Sequence, residues 1–227
     1  MHNGEELSTL SPNERYWIRN FKMDIAAECK RYGDLPPLEG CLADPKVLIP
    51  ICEVDKNHWP GAFAHSFKDD YKFDGSNGVW CNTERYVALL LRWKMGALGM
   101  DYSTYGDAHP EICQWNRFRS RIIGYHFEKR GIPLIPTLLW WDDESADEAC
   151  IGLRRGRVYA VSTIRAAQSR EQRELFGTRI RRICSVLDPK ILVVYGSPDG
   201  IDWGGINIHA FPNGTYNWTH KEMREGA

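Results

Sequence analysis

Seven short, unbroken apolar runs separated by longer amphipathic stretches constrain this chain more than any other feature. They are VLIPIC (47–52), GAFAHSF (61–67), GALGM (96–100), IPLIPTLLW (132–140), RVYAVST (157–163), KILVVYG (190–196) and INIHAF (206–211). A strand with one wet face alternates apolar and polar residues, whereas a continuous run belongs to a strand covered on both faces, as in parallel sheets. Amphipathic patterns fall between the runs. Residues 83–94 place Tyr86, Leu89, Leu90 and Trp93 on one face, with Asn82 as the expected N-cap. Residues 110–130 begin with Pro110 and stop before Gly131, a short helix is expected at 144–150, and 168–187 repeats Phe176, Ile180, Ile183, Cys184 and Leu187 at helical spacing. The expected fold is therefore one α/β domain over 46–227, with a mostly parallel sheet. Polar residues after nearly every strand favour a small or incomplete (β/α) barrel-like form, and an open doubly wound sheet is the alternative. Residues 1–45 are expected to form a helical preamble, with Tyr16, Trp17, Phe21, Ile25 and Cys29 patterned over 13–32.

A chain of 227 residues buries roughly 70% of its unfolded surface and needs no covalent staple. Its 29 Lys and Arg against 30 Asp and Glu leave a net charge of -1, which excludes a basic coat protein for nucleic acid. Local basic clusters remain at 154–157 (RRGR) and 179–182 (RIRR). The seven cysteines are odd in number, widely spaced and without C-x-x-C, so reduced thiols are expected rather than disulfides or zinc. The first residues lack the basic start and apolar core of a secretion signal. The mostly apolar run 131–141 is too short to span a bilayer. A cytoplasmic protein without membrane contact is expected.

In parallel α/β folds chemistry collects at the carboxyl ends of the strands. Those positions here carry Glu53, Asp55, Asp69, Asp70, Asp101, Tyr105, Asp107, Trp140, Trp141, Asp142, Asp143, Ser162, Thr163 and Tyr195. Such carboxylates divide acid from base work when their pKa values split, or hold Mg²⁺. Asp after a strand also caps helices and makes turns, but caps do not require Tyr and Trp beside them. Arg119 is a second signal. It falls inside the apolar stripe of Ile112, Trp115, Ile122, Ile123 and His126. A buried guanidinium needs a carboxylate, and Asp101, Asp69 and Asp70 are the natural partners, Asp101 first. Arg121 lies off the stripe and is expected to be solvated. GSPDGIDWGG (196–205) lacks both phosphate-binding glycine fingerprints and reads as a surface loop, and no G-x-S-x-G elbow occurs.

Several blocks resemble a bacterial and phage family catalogued as domain of unknown function 4417, over about residues 47–200. One block is F-x-x-D-D-Y-x-F, here Phe67, Asp69, Asp70, Tyr71 and Phe73, followed by Trp80, Asn82, Arg85 and Tyr86. Another is D-x-S-x-Y-x-D, here Asp101, Ser103, Tyr105 and Asp107. A third is N-x-x-R-x-R-x-x-G, here Asn116, Arg119, Arg121 and Gly124, with Trp140 or Trp141, Thr163, Tyr195 and Gly196 completing the set. The chain departs from the family pattern at Thr83 and Met100, where relatives carry proline. The resemblance implies a phage or mobile-element setting, and with it a nucleotide or nucleic-acid-type substrate.

Together these features favour an enzyme, hydrolase-type or metal-assisted, with Asp69, Asp70, Asp101 and Asp107 as catalytic carboxylates and Arg119, Asn116, Tyr105, Trp140, Thr163 and Tyr195 around the substrate. No cofactor is identified, and Mg²⁺ is the ion such a rim would take. The competing reading is a non-catalytic accessory module that binds nucleic acid or protein through the two arginine clusters. The cysteine pattern generates a direct test. Thiol titration of the denatured, unreduced protein should return all seven thiols, and a lower count refutes the reduced state.

Overall fold

The structure is a computed structural model that describes residues 9–28 and 35–213. Helices α1 (Pro12–Phe21) and α2 (Met23–Glu28) come first, separated by Lys22 in the left-handed region at φ 54°. Ser11 and Glu14 form a reciprocal capping box at the start of α1. The expected helix over 13–32 is thus broken once, and its remainder from residue 29, with Cys29, lies outside the described residues. The apolar runs then become β1 (Leu48–Pro50), β2 (Phe63–His65), β3 (Gly96–Leu98), β4 (Leu134–Ile135), β5 (Val158–Ser162), β6 (Ile191–Tyr195) and β7 (Ile208–Phe211). Helices α3 (Thr83–Arg92), α4 (Pro110–Lys129), α5 (Asp143–Glu148) and α6 (Arg170–Leu187) connect β2 through β6 in turn. The strands are shorter than the runs, because a run continues past the last ladder bond into the loop it buries.

Every ladder is parallel. The orders are β1-β2-β3-β4 and β5-β6-β7. Both orders run in sequence, without the reversal that defines a doubly wound sheet. A parallel bridge between Thr137 and Ala160 joins the two sheets. At the other end of that seam the segment before β1 inserts: Cys41 N–H donates to Leu134 C=O, and Val158 N–H donates to Cys41 C=O, at 2.8 and 3.1 Å. No ladder joins β7 to β1 among the described residues.

The period of two along each strand sorts side chains into separate cores. Leu48, Phe63, Leu98, Ile135, Val158, Ala160, Val193, Tyr195 and Phe211, drawn from all seven strands, form one cluster. Their neighbours point the other way. Ile49, Ala64, Ala97 and Leu134 pack with Val87 and Leu90 of α3 and Ile122 and Ile123 of α4. Tyr159, Val161, Leu192 and Val194 pack with Phe176, Ile180 and Ile183 of α6. Burial on both faces is why the strands read as continuous apolar runs.

The helix ends follow local chemistry with one exception. Asp142 and Ser145 make a capping box at α5, and Ser169 with Gln172 does the same at α6. Asn82 occupies the expected cap position of α3 but makes no side-chain cap bond. Its amide donates instead to Ser76 and Gly78 carbonyls, tying down the preceding loop. The described cysteines are all free. No helix among the described residues is long and apolar enough to cross a membrane.

Gly99 marks the closest approach of β3 to the chain leaving β4. A Cβ there would meet Thr137 N at 2.7 Å, and Thr137 Oγ1 donates to Gly99 C=O at 2.7 Å. Gly99→Ala should cost about 1–3 kcal/mol by overpacking. Gly75→Ala, whose nearest contact is 3.8 Å, should be silent in the same denaturant titration. Equal stabilities would refute the close-packing account.

Candidate functional site

The carboxyl ends of the strands surround a cavity of about 820 Å³. Its walls come from the loops after β2 (Phe67, Lys68, Asp69, Lys72), β3 (Asp101, Ser103, Tyr105), β4 (Leu139, Trp140, Trp141) and β5 (Ser162, Ile164, Arg165), and from α6 (Gln172, Phe176, Arg179). The position follows from the fold: parallel strands all deliver their following loops to one end.

Asp101 is the most perturbed carboxylate on this wall. Burial and the neighbouring charge of Asp70 push its pKa up to about 7, and no hydrogen-bond donor or cation offsets them. Its backbone N–H donates to Ser66 Oγ at 2.6 Å, which fixes the residue without stabilising its charge. Asp70 differs. Burial also raises its pKa, but Ser103 N–H and Oγ donate to its two oxygens at 3.1 and 2.9 Å. Two adjacent carboxyls thus sit in unequal environments, the arrangement that separates a proton carrier from a fixed anion. His65 lies behind Phe67, accepts that residue's N–H through Nδ1, and is kept neutral by burial, its pKa down to about 3.

The loop carrying Asp101, Ser103 and Tyr105 is held from α4. Arg119 is buried, as the stripe requires, but its partner is Asp74 and not Asp101. Its Nη1 donates to both Asp74 oxygens at 2.7 and 2.8 Å, and Nη2 donates to Asn116 Oδ1 at 2.7 Å. The guanidinium also lies 3.9 Å from the centre of the Tyr102 ring. Asn116 in turn donates from Nδ2 to Ser103 C=O at 2.6 Å. A chain of contacts therefore runs from Asp74 through Arg119, Asn116 and Ser103 to Asp70.

The stripe reading of α4 fails at two places. Arg121, expected in solvent, is buried; Nη2 donates to Ala149 C=O at 3.1 Å, and burial with Arg117 nearby lowers its pKa to about 10. Ile112, expected inside, is 54% exposed. The middle of α4 is covered on all sides, by the sheet, by the segment at Pro36 and Leu38, and by α5. One apolar face cannot describe such a helix. Arg117 is likewise buried, donating to Glu148 Oε2 at 2.6 Å, with its guanidinium 4.9 Å from the Trp141 ring centre.

The cavity brings together Asp69, Asp101, Tyr105 and Trp140 of the residues named from sequence. Asp70, Asn116 and Arg119 lie one layer behind, in the network just described. Thr163 and Tyr195 are buried away from it, Tyr195 stacked on Phe67 with ring centres 5.2 Å apart. Asp107 is exposed and does not line it. Sequence reasoning missed the cations on the wall: Lys68, Lys72, Arg165 and Arg179. Lys68 and Lys72 flank Asp69 and Asp70, so their proximity was readable, whereas Arg165 and Arg179 arrive only through the fold. Arg165 pairs with Asp69 at 2.9 Å and Arg179 with Asp143 at 2.7 Å. Among the described residues no group of three or more His, Cys, Asp or Glu is placed to hold a metal ion.

The family model described as "Domain of unknown function (DUF4417)" matches residues 27–211. The "Gene 1 protein" of Mycobacterium phage L5 is 32% identical over 138 residues, 60% of this chain and 58% of that protein. The "Gene 1 protein" of Mycobacterium phage D29 is 30% identical over 138 residues, 60% of this chain and 49% of that protein. The chain thus spans about half the length of these relatives. No solved structure matches it.

Two predictions follow from the electrostatics. The folded-state pKa of Asp101 lies above its ordinary value, so the folded protein binds that proton more tightly. Stability from this group is full below about pH 4 and falls as pH rises toward 7. Asp101→Asn should therefore raise the melting temperature at pH 8 and leave it unchanged at pH 4; equal shifts at both refute the assignment. Arg119→Ala should cost about 3–5 kcal/mol, because it strands Asp74 and frees Asn116. An unchanged urea midpoint contradicts that.

Proposed function

We propose that this chain, which belongs to the DUF4417 family, is an acid–base enzyme acting on a nucleotide or nucleic-acid-type substrate. The observation that carries the reading is Asp101: a carboxyl of pKa about 7 on the wall of a large cavity rich in cations and aromatic rings. A group that titrates near neutrality is populated in both forms and transfers a proton at little cost. In this reading Asp101 is the proton carrier. Burial, and with it the charge of Asp70, which Ser103 hydrogen-bonds, keeps the Asp101 pKa high. Lys68, Lys72 and Arg165 receive phosphate. Trp140, Trp141 and Tyr105 supply faces for a planar base. The Arg165–Asp69 pair is largely exposed and weak, so a phosphate displaces Asp69 from Arg165 at small cost. Arg119 and Asn116 act as positioning residues for the loop that carries Asp101.

Mg²⁺ is usually held by one or two carboxylates together with substrate phosphate and water. Asp69 lines the cavity, and in this reading any such ion would arrive with the substrate and meet Asp69, leaving Asp101 its proton. The setting is consistent with a phage-associated protein, since the relatives are phage proteins. The binding-module reading is not favoured. Its 179–182 cluster is engaged by the protein itself: Arg179 with Asp143, Arg181 with Asp202 and Arg182 with Asp147.

The test is a thermal-shift panel of nucleoside mono-, di- and triphosphates, with and without Mg²⁺. A ligand at roughly 100 times its Kd should stabilise by about 2.7 kcal/mol. For a chain of this size that is about 5–10 °C in melting temperature. Lys68→Ala should shrink the shift. Asp101→Asn should keep it and abolish turnover, whose rate in the wild type should change slope near pH 7. No shift with any nucleotide would overturn the reading.

A further inference from the structure

A second cavity of about 290 Å³ lies beside the first, and the 3-10 turn Asp70–Lys72 stands between them. Lys72 lines both cavities. The smaller one is walled by Tyr71, Ser76, Asn77, Arg85, Tyr86 and Asp55. We propose that the substrate is a single-stranded polynucleotide whose neighbouring nucleotides occupy the two cavities, with the backbone crossing at Lys72. This deepens the nucleotide reading above and rests on it.

Four observations carry the step from nucleotide to strand. First, Tyr71 is 76% exposed, the most exposed of the large hydrophobic side chains described, and packs into no core. Lone exposed aromatics are ordinary, but this ring stands at a cavity mouth with Lys72 Nζ 5.7 Å from its centre. A ring beside a cation is the pairing that single-strand binders use to stack bases and track phosphates. Second, Lys72 and Arg85 outnumber Asp55 in the small cavity. Lys68, Lys72 and Arg165 outnumber Asp69 and Asp101 in the large one, where Arg179 is held by Asp143. Lys72, which lines both cavities, connects the two sets of cations on an otherwise nearly neutral protein. Third, Arg85 meets Asp55 only at 3.4 Å, and both are well exposed, so a phosphate competes readily for the guanidinium. Fourth, the wall of the small cavity includes the polar residues Ser76 and Asn77. Tyr86 donates from its hydroxyl to Asn77 C=O at 3.1 Å, which fixes the loop while leaving the Asn77 side chain on the wall. A free mononucleotide fills one cavity and leaves Tyr71 and Arg85 without a role.

The experiment is fluorescence anisotropy with fluorescein-labelled ten-nucleotide single-stranded DNA and RNA of one sequence, competed by thymidine and uridine 5′-monophosphates. The oligonucleotide should bind at least tenfold tighter than the monophosphates and should weaken steeply with salt. Tyr71→Ala and Arg85→Gln should each lower oligonucleotide affinity roughly tenfold. Both should leave the monophosphate-induced thermal shift unchanged. If monophosphates shift the melting temperature but the oligonucleotide binds no tighter, or Tyr71→Ala is without effect on it, the strand inference falls and the nucleotide reading stands. If neither ligand binds, both fall together.

Discussion

A parallel sheet that is apolar on both faces has to be covered twice, and the rest of this structure follows from how that is done. Alternate residues of every strand point to opposite sides, and each side needs its own core. One side is closed by helices, in two groups on the two sheets. The other is closed by the strands themselves, with residues of β1 through β7 in a single cluster. Because the connections all run in one direction along the sheet, every strand's carboxyl end opens on the same side. The loops that carry Asp69, Asp101, Trp140 and Arg165 come together as a consequence of that covering.

The second dependence is electrostatic. Burying three arginines in α4 is expensive unless each meets an acceptor. Arg117 meets Glu148, Arg119 meets Asp74 and Asn116, and Arg121 meets backbone carbonyls at Ala149 and Pro36. These contacts reach into α5, the segment before β1 and the loops after β2 and β3. The helix is less an amphipathic cover than a hub. The loop bearing Asp101 is held in place by this hub rather than by its own sequence.

Asp101 and the surrounding cations act in opposite senses. Arg165, Lys68 and Lys72 share the cavity, yet burial and then the charge of Asp70 set the Asp101 pKa. The cavity can therefore attract an anion while keeping one carboxyl close to half-protonated at neutral pH. A cation in contact with Asp101 would remove that property by holding it ionised.

Much of the fold was legible in the chain. Continuous apolar runs marked seven strands and their parallel character, and helical spacing with Pro110 and Gly131 marked the helices, because these are local or periodic properties. The carboxyl-end rule placed Asp69, Asp101, Tyr105 and Trp140 on one rim before any coordinates. What the sequence could not decide was pairwise. Arg119 needed a carboxylate, but sequence does not rank Asp74 against Asp101, since the choice depends on where the loops after β2 and β3 turn. Arg121 looked solvated because an amphipathic stripe assumes one buried face, while α4 is buried on several. Tyr195 sits at a strand end yet faces the inner core, a matter of which way one peptide points, and Thr163 is buried beside it. Arg165 and Arg179 reached the cavity only through tertiary packing. Local chemistry and periodicity determined the elements. Which charges meet, and which stay unpaired beside the cavity, was decided only once those elements packed, because a charge answers to whatever lies a few ångströms away and not to its neighbours in the chain.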